Sequence, residues 1–229
     1  MKRIIIICEG QTEKEFCQKV LEPYLRPFGI NIQAPLIKKS MGGIVPWPNL
    51  KKEIEIYLNE PKVVVSTFID YYGLREKLDF PEWENAHKIV DKNERISFLE
   101  NAMKADIVDN KQFRFLPYMQ LHEFEGLLFN NIRIFYDQFL LAELIGIEEL
   151  KSTFAEYENP EMINNTRETS PSHRLERIIK GYNKPIYGSC IAEAIGIERI
   201  RAKSPRFNEW VEKLINCRRV PLTNKTFSI

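Results

Sequence analysis

Cysteine and histidine are scarce in this sequence, with four and three residues among 229. Cys8, Cys17, Cys190 and Cys217 are too few and too scattered for a disulfide framework or a paired zinc knuckle. His87, His122 and His173 form no metal set by spacing. Long apolar runs are also missing. The longest, Ile4 to Cys8, is strand-sized, far below the roughly 18 residues of a membrane span. The first residues carry charge but no signal-peptide apolar block, so the expectation is a soluble, cytoplasmic protein. The turn Glu9-Gly10-Gln11-Thr12 lacks the Lys-Ser/Thr of a P-loop and the three glycines of a dinucleotide fingerprint, so no nucleotide cofactor is implied. Internal repeats and low-complexity tracts are absent.

Hydrophobic residues at 44% and charged residues at 28% supply a sizeable core and argue against disorder. The net charge of +1 hides an asymmetry. Arg199 to Ile229 holds eight Lys and Arg against two Asp and Glu, a balance of +6, which leaves 1 − 6 = −5 on the first 198 residues. An acidic body with a basic end fits cations held in one place and phosphates in another, or equally a solvated helix face with a tail.

The continuous β-branched run Lys2 to Cys8 reads as a strand buried on both faces of a parallel sheet. Thr12 as N-cap, with Glu15 three residues on, predicts a capping box and a helix to about Leu25 that Pro23 and Pro27 close or kink. Further strands are expected near Ile30 to Ile37, at Lys62 to Ile69 and at Phe113 to Leu121, with helices at Asn49 to Leu58 and Glu84 to Ala105. This alternation argues for a three-layer α/β domain with a mainly parallel sheet over residues 1–129. Beyond Phe129, helices are expected at about 134–145, 147–157, 172–180, 188–195 and 205–216. Proline and asparagine clusters at Asn159-Pro160 and Asn164-Asn165 punctuate them. Residues 130–217 therefore read as a helical extension packed on the sheet, and 218–229 as a tail.

The acids mark where chemistry belongs. Ligands of an open parallel sheet bind beyond the carboxyl ends of its strands. Glu9 ends the first strand and Asp70 another, while Glu123 and Glu125 follow a third; Glu13 lies one helical turn from Glu9. Five carboxylates at one rim repel unless a cation screens them, and hard oxygen ligands suit Mg²⁺ or Mn²⁺. Each acid also has an ordinary explanation. Glu13 can complement a helix dipole, Asp70 can cap a turn and Glu123 can begin a helix. Glu9 is the costly one, since a charge directly after five buried apolar positions needs a use.

The remaining signals stay open. His122 is a ligand, a general base, a phosphate contact or a structural hydrogen-bonder. His87 is expected to be exposed, and Cys8 buried without a base beside it, which disfavours a cysteine nucleophile. Met41-Gly42-Gly43 is a plain loop or a close approach to phosphate. Arg174 and, at the basic end, Arg201, Lys203 and Arg206, with Arg199 and the rings of Phe207 and Trp210 nearby, are expected nucleic-acid contacts. Alternatively, Phe207, Trp210 and Leu214 are the buried face of the last helix.

Cys8-Glu9-Gly10-Gln11-Thr12-Glu13 after a hydrophobic strand, followed by Thr67-Phe68-Ile69-Asp70-Tyr71-Tyr72-Gly73, resembles the Toprim domain of topoisomerases, primases and overcoming-lysogenization-defect nucleases. More narrowly, Gln120 through Phe129, Ser170-Pro171-Ser172 and the stretch from Tyr187-Gly188 through Arg201, Pro205 and Trp210 resemble the bacterial domain-of-unknown-function family 4276. The resemblance implies a Toprim-like fold holding Mg²⁺ for phosphodiester chemistry, possible pairing with an ATPase, and a part in phage defence. Glu9 matches the glutamate after the first strand, Asp70 the first aspartate of the Asp-x-Asp pair, and Glu13 the glutamate four residues after Glu9. Tyr72 stands where the second aspartate belongs, so Glu123 or Glu125 replaces it, or the site binds metal weakly or not at all.

The expectation is thus a metal-dependent nuclease acting on DNA or RNA. Glu9, Glu13, Asp70, Glu123 and Glu125 would hold the metal, and Lys184, Arg174 or Lys39 would offset charge on the phosphoryl oxygens. The alternatives are a catalytically silent partner of an ATPase and a small-molecule phosphohydrolase. The chain is too short for the extra domains of a topoisomerase and lacks the zinc-binding segment of a primase.

Overall fold

The computed structural model describes residues 1–38, 43–163, 166 and 168–217. Lys39, the loop through Gly42, Asn164-Asn165 and the tail 218–229 lie outside the described residues. Five strands, β1 (Lys2–Cys8), β2 (Ile30–Gln33), β3 (Val64–Asp70), β4 (Phe115–Leu116) and β5 (Met119–Gln120), form one sheet. Its order is β2-β1-β3-β4, with β5 also on β3, and every pair is parallel. All strands therefore end at one edge, where Cys8 faces Phe68 and Asp70 faces Gln120.

Alternation along β1 and β3 builds two apolar layers. Ile5, Ile7, Val65 and Ile69 pack against α3 (Trp47–Leu58) and α5 (Lys92–Ala105), which follows the short α4 (Trp83–Ala86). Ile4, Ile6, Cys8 and Phe68 pack against Phe16 and Leu21. That second layer is continuous with Ile191, Phe207, Trp210 and Leu214 of the C-terminal half, so the helical region shares a core with the sheet. Trp210 seals the join: it stacks on Tyr118 at 4.4 Å and donates from Nε1 to Ser66 Oγ at 2.9 Å. Phe207, Trp210 and Leu214 are thus the buried face of the last helix.

Several local expectations shift. The first helix begins at Gln11 rather than after Thr12. Its cap is Gly10, extended at φ −133°, whose amide donates to Glu13 Oε2 at 2.9 Å. Glu15 instead reaches Gln11 and Lys19. From α1 (Gln11–Phe16) the chain stays helical through Leu25, because a widened π turn (Cys17–Leu21) precedes α2 (Glu22–Leu25) and absorbs Pro23, which has no N–H to give. Residues 84–105 form α4 and α5 rather than one helix, since Asp91 caps α5 by accepting from the Glu94 amide. The strand expected at 113–121 is split into β4 and β5 by Pro117. Thr67 repairs the gap, its Oγ1 accepting from the Tyr118 amide and donating to the Tyr118 carbonyl, both at 3.0 Å.

The C-terminal helices are α6 (Ile132–Gln138), α7 (Ile147–Glu156), α8 (Pro171–Ile178), α9 (Lys184–Ile195), α10 (Ile197–Lys203) and α11 (Pro205–Asn216). α10 was not expected; Gly196, at φ 80°, breaks it from α9. No helix among the described residues is long and apolar enough to cross a membrane.

Candidate active site

The parallel sheet carries the acids to one rim, and backbone amides hold Glu9, Glu13, Asp70 and Glu123. Glu9 Oε2 accepts from the Asp70 amide at 2.9 Å. Asp70 Oδ1 accepts from Phe124 N at 3.0 Å, and Glu123 Oε2 from Ser172 N at 3.0 Å, in the first turn of α8. The carboxylates thus stitch three strand ends to one another and to the helical half. Glu125, fully buried at 0% exposure, lies in the 3₁₀ turn Phe124–Leu128 and pairs with Lys184 at 3.1 Å. Neither Glu125 oxygen receives a well-formed hydrogen bond, and the buried Tyr182 hydroxyl, within the field of Glu125 and Glu123, has no partner among the described residues.

Lys184 arrives by helix packing. Gly188 lets α9 press onto α1, since a Cβ there would stand 2.8 Å from Thr12 Cγ2. Lys184 lies one turn upstream of Gly188 and therefore on the same side of α9, over the rim. As the first residue of α9, its charge opposes the helix dipole. The acids compensate: burial pulls its pKa down, but Glu125, Asp70 and Glu13 outweigh that and hold the ammonium above its ordinary value.

The carboxylates shift the other way. Burial raises Glu9, Glu13 and Asp70, with the neighbouring acids adding to it. Glu125 is pushed up to about 7 by burial, against Lys184 and with Glu13 and Glu123. These mutual influences mark Glu9, Glu13, Asp70, Glu123, Glu125 and Lys184 as one cluster, five acids on one cation. The donors fit a hard divalent cation chemically: all are oxygens, their charge exceeds that of Lys184, and Glu125 has accepting capacity to spare. They are not gathered into a finished cage, for among the described residues no three His, Cys, Asp or Glu side chains stand as a ready ligand group.

The basic residues divide. Arg174 is buried, donating to Thr169 O and Thr153 Oγ1. Arg206 donates to Ser97 Oγ and pairs with Glu100 at 2.8 Å. Arg201 is held by Tyr24, Asn208 and Glu212. These three guanidinium groups serve the fold, while Lys203 is exposed beside Arg199, Asn130 and Phe154. His87 is exposed, and His173 bonds Ser170 Oγ at 2.9 Å. His122 makes no structural hydrogen bond through Nε2, sits in left-handed backbone at φ 70°, and is lowered to about 4 by burial and Lys92. Tyr72 lines a separate cleft of about 340 Å³ that has none of the acids in its wall. Sequence reasoning missed Tyr182, the packing role of Gly188 and this cleft; only the Gly188 spacing relative to Lys184 offered a signal.

The family model described as Domain of unknown function (DUF4276) matches residues 8–215. No curated protein and no solved structure matches the chain.

Proposed function

The chain belongs to the family described as Domain of unknown function (DUF4276), a membership that assigns no activity, and we propose that its acid rim makes it a metal-dependent phosphodiester hydrolase of the Toprim type acting on nucleic acid. The observation that carries this reading is the convergence of five carboxylates from three strand ends, with one lysine among them. Glu9, Asp70 and Glu123, with Glu13 and Glu125, are the residues to hold Mg²⁺ or Mn²⁺. A divalent ion there would polarise a phosphate and lower the pKa of an attacking water. Lys184 would donate to a phosphoryl oxygen as negative charge builds on it. The Tyr182 hydroxyl, buried without a partner, is a further donor at the same spot.

One observation favours a second reading. Lys184 already pairs with Glu125, and Glu9, Asp70 and Glu123 rest on backbone amides, so the cluster is partly neutralised without a metal. A catalytically silent partner of an ATPase would need no more than that.

Thermal melting separates the two. Saturating Mn²⁺ is expected to raise Tm by about 5–10 °C, the effect of ligand at roughly 100 times Kd on a chain of this size. Glu9→Gln, which keeps an acceptor for the Asp70 amide, should remove the rise and also Mn²⁺-dependent cleavage of DNA or RNA. A native protein that neither responds to metal nor cleaves is the silent partner.

A further inference from the structure

The cleft beside the rim is lined by Tyr71, Tyr72, Arg75, Trp83, Lys92 and His122, among others. It holds three large rings and two permanent cations, and no carboxylate is among its lining residues. This is the reverse of the neighbouring rim, with which it shares two chain segments: Tyr71 and Tyr72 follow Asp70, and His122 precedes Glu123. The Tyr72 amide donates to the His122 carbonyl at 3.1 Å, tying the two segments together.

The fold accounts for only part of the cleft's charge. Lys92 is the first residue of α5, where its charge opposes the helix dipole, and it forms no ion pair among the described residues. Lys184 holds the equivalent place on α9, and there Glu125 answers it. Arg75 is exposed, its Nη1 bonded to the Tyr72 and Leu74 carbonyls at 2.7 Å, its Cζ 5.8 Å from the centre of the Tyr72 ring. A single nitrogen is thereby used. His122, 5% exposed, leaves Nε2 without a partner. Trp83 is half-buried, with His87 against it at 4.1 Å.

From this combination we infer that the cleft is a nucleotide subsite for single-stranded nucleic acid, in which the Trp83 and tyrosine rings take a base and Arg75 and Lys92 take the adjoining phosphate. Rings bind any base through its π face, and cations track the backbone. The volume is at the lower end of small-ligand sites, sized for one unit of a strand. The inference rests on the hydrolase reading and deepens it: one nucleotide anchors in the cationic cleft while the next phosphate meets the acid rim.

Binding in EDTA tests the subsite apart from hydrolysis. AMP and short single-stranded DNA and RNA oligonucleotides are expected to quench tryptophan fluorescence through Trp83. Trp47 and Trp210 are buried and bonded to Asp106 and Ser66, so they should stay silent. Trp83→Phe should abolish the quench while keeping most of the affinity measured with labelled oligonucleotide. Lys92→Ala and Arg75→Ala should each weaken binding about tenfold without lowering Tm. Absence of quenching by every probe overturns the subsite, as does equal affinity in Lys92→Ala and Arg75→Ala. Competition by inorganic phosphate as strong as that by AMP also overturns it, because it leaves the rings no part. Binding as expected but no cleavage with Mn²⁺ supports the subsite and removes the hydrolase reading. Cleavage equally fast in both variants at native affinity does the opposite.

Discussion

Glu125 shows how residue-level energetics tie the rim to pH. Its folded pKa of about 7 lies above the ordinary carboxylate value of 4.5, because burial disfavours its charge. The folded state therefore binds more protons than the unfolded state between those values, and stability falls as pH rises through that window. For the metal-free protein, the loss between about pH 4.5 and pH 7 is expected to reach about 3 kcal/mol from Glu125, read from denaturant unfolding across pH. Lys184→Met removes the cation that the described residues bring to the cluster and should steepen that fall. A stability that is flat or rising across the window contradicts the assignment. Glu9, Asp70 and Glu123 were legible in the sequence because carboxylates at strand ends are out of place energetically. Tyr182 was not, since an unpartnered hydroxyl has no sequence signature.

The interrupted strand after Leu116 makes the same point at the scale of elements. Pro117 removes a ladder donor, and the Thr67 hydroxyl bonds both backbone groups of Tyr118 in its place. Thr67→Val keeps the shape and deletes both bonds, taking from the buried Tyr118 amide its hydroxyl acceptor. A loss of about 2–3 kcal/mol in denaturant unfolding is expected, and much less for Thr67→Ser. The strands β1 and β3 were readable as apolar runs, and the last helix from its apolar face. Where local rules competed, tertiary context decided: Gly10 with Glu13 supplanted Thr12 as the cap, and a π turn spared the helix from Pro23.

Across the whole molecule, Arg206 joins the helical half to the sheet. It bonds Asn93 and Ser97 and pairs with Glu100, which also accepts from the Met119 amide at 2.8 Å. Glu161 completes the joint by accepting from the Arg206 and Phe207 amides at the start of α11. Arg206→Met strands the buried Glu100 charge and should cost about 3–5 kcal/mol in unfolding free energy. Glu100→Gln with Arg206→Met should cost less than the two single losses added together. If Arg206 served nucleic acid instead, the variant would bind less and unfold normally.

Composition and periodicity, by themselves, determined a parallel α/β sheet with a helical C-terminal region and put acids at the strand ends, because burial and strand direction are written in local patterns. Which cations meet which anions was decided only by the tertiary fold. Lys184 reaches Glu125 across nearly sixty positions because a helix lands beside a glycine, and Arg206 reaches Glu100 across more than a hundred. Ion pairing depends on distance in space, and charge carries no periodicity that reports its partner.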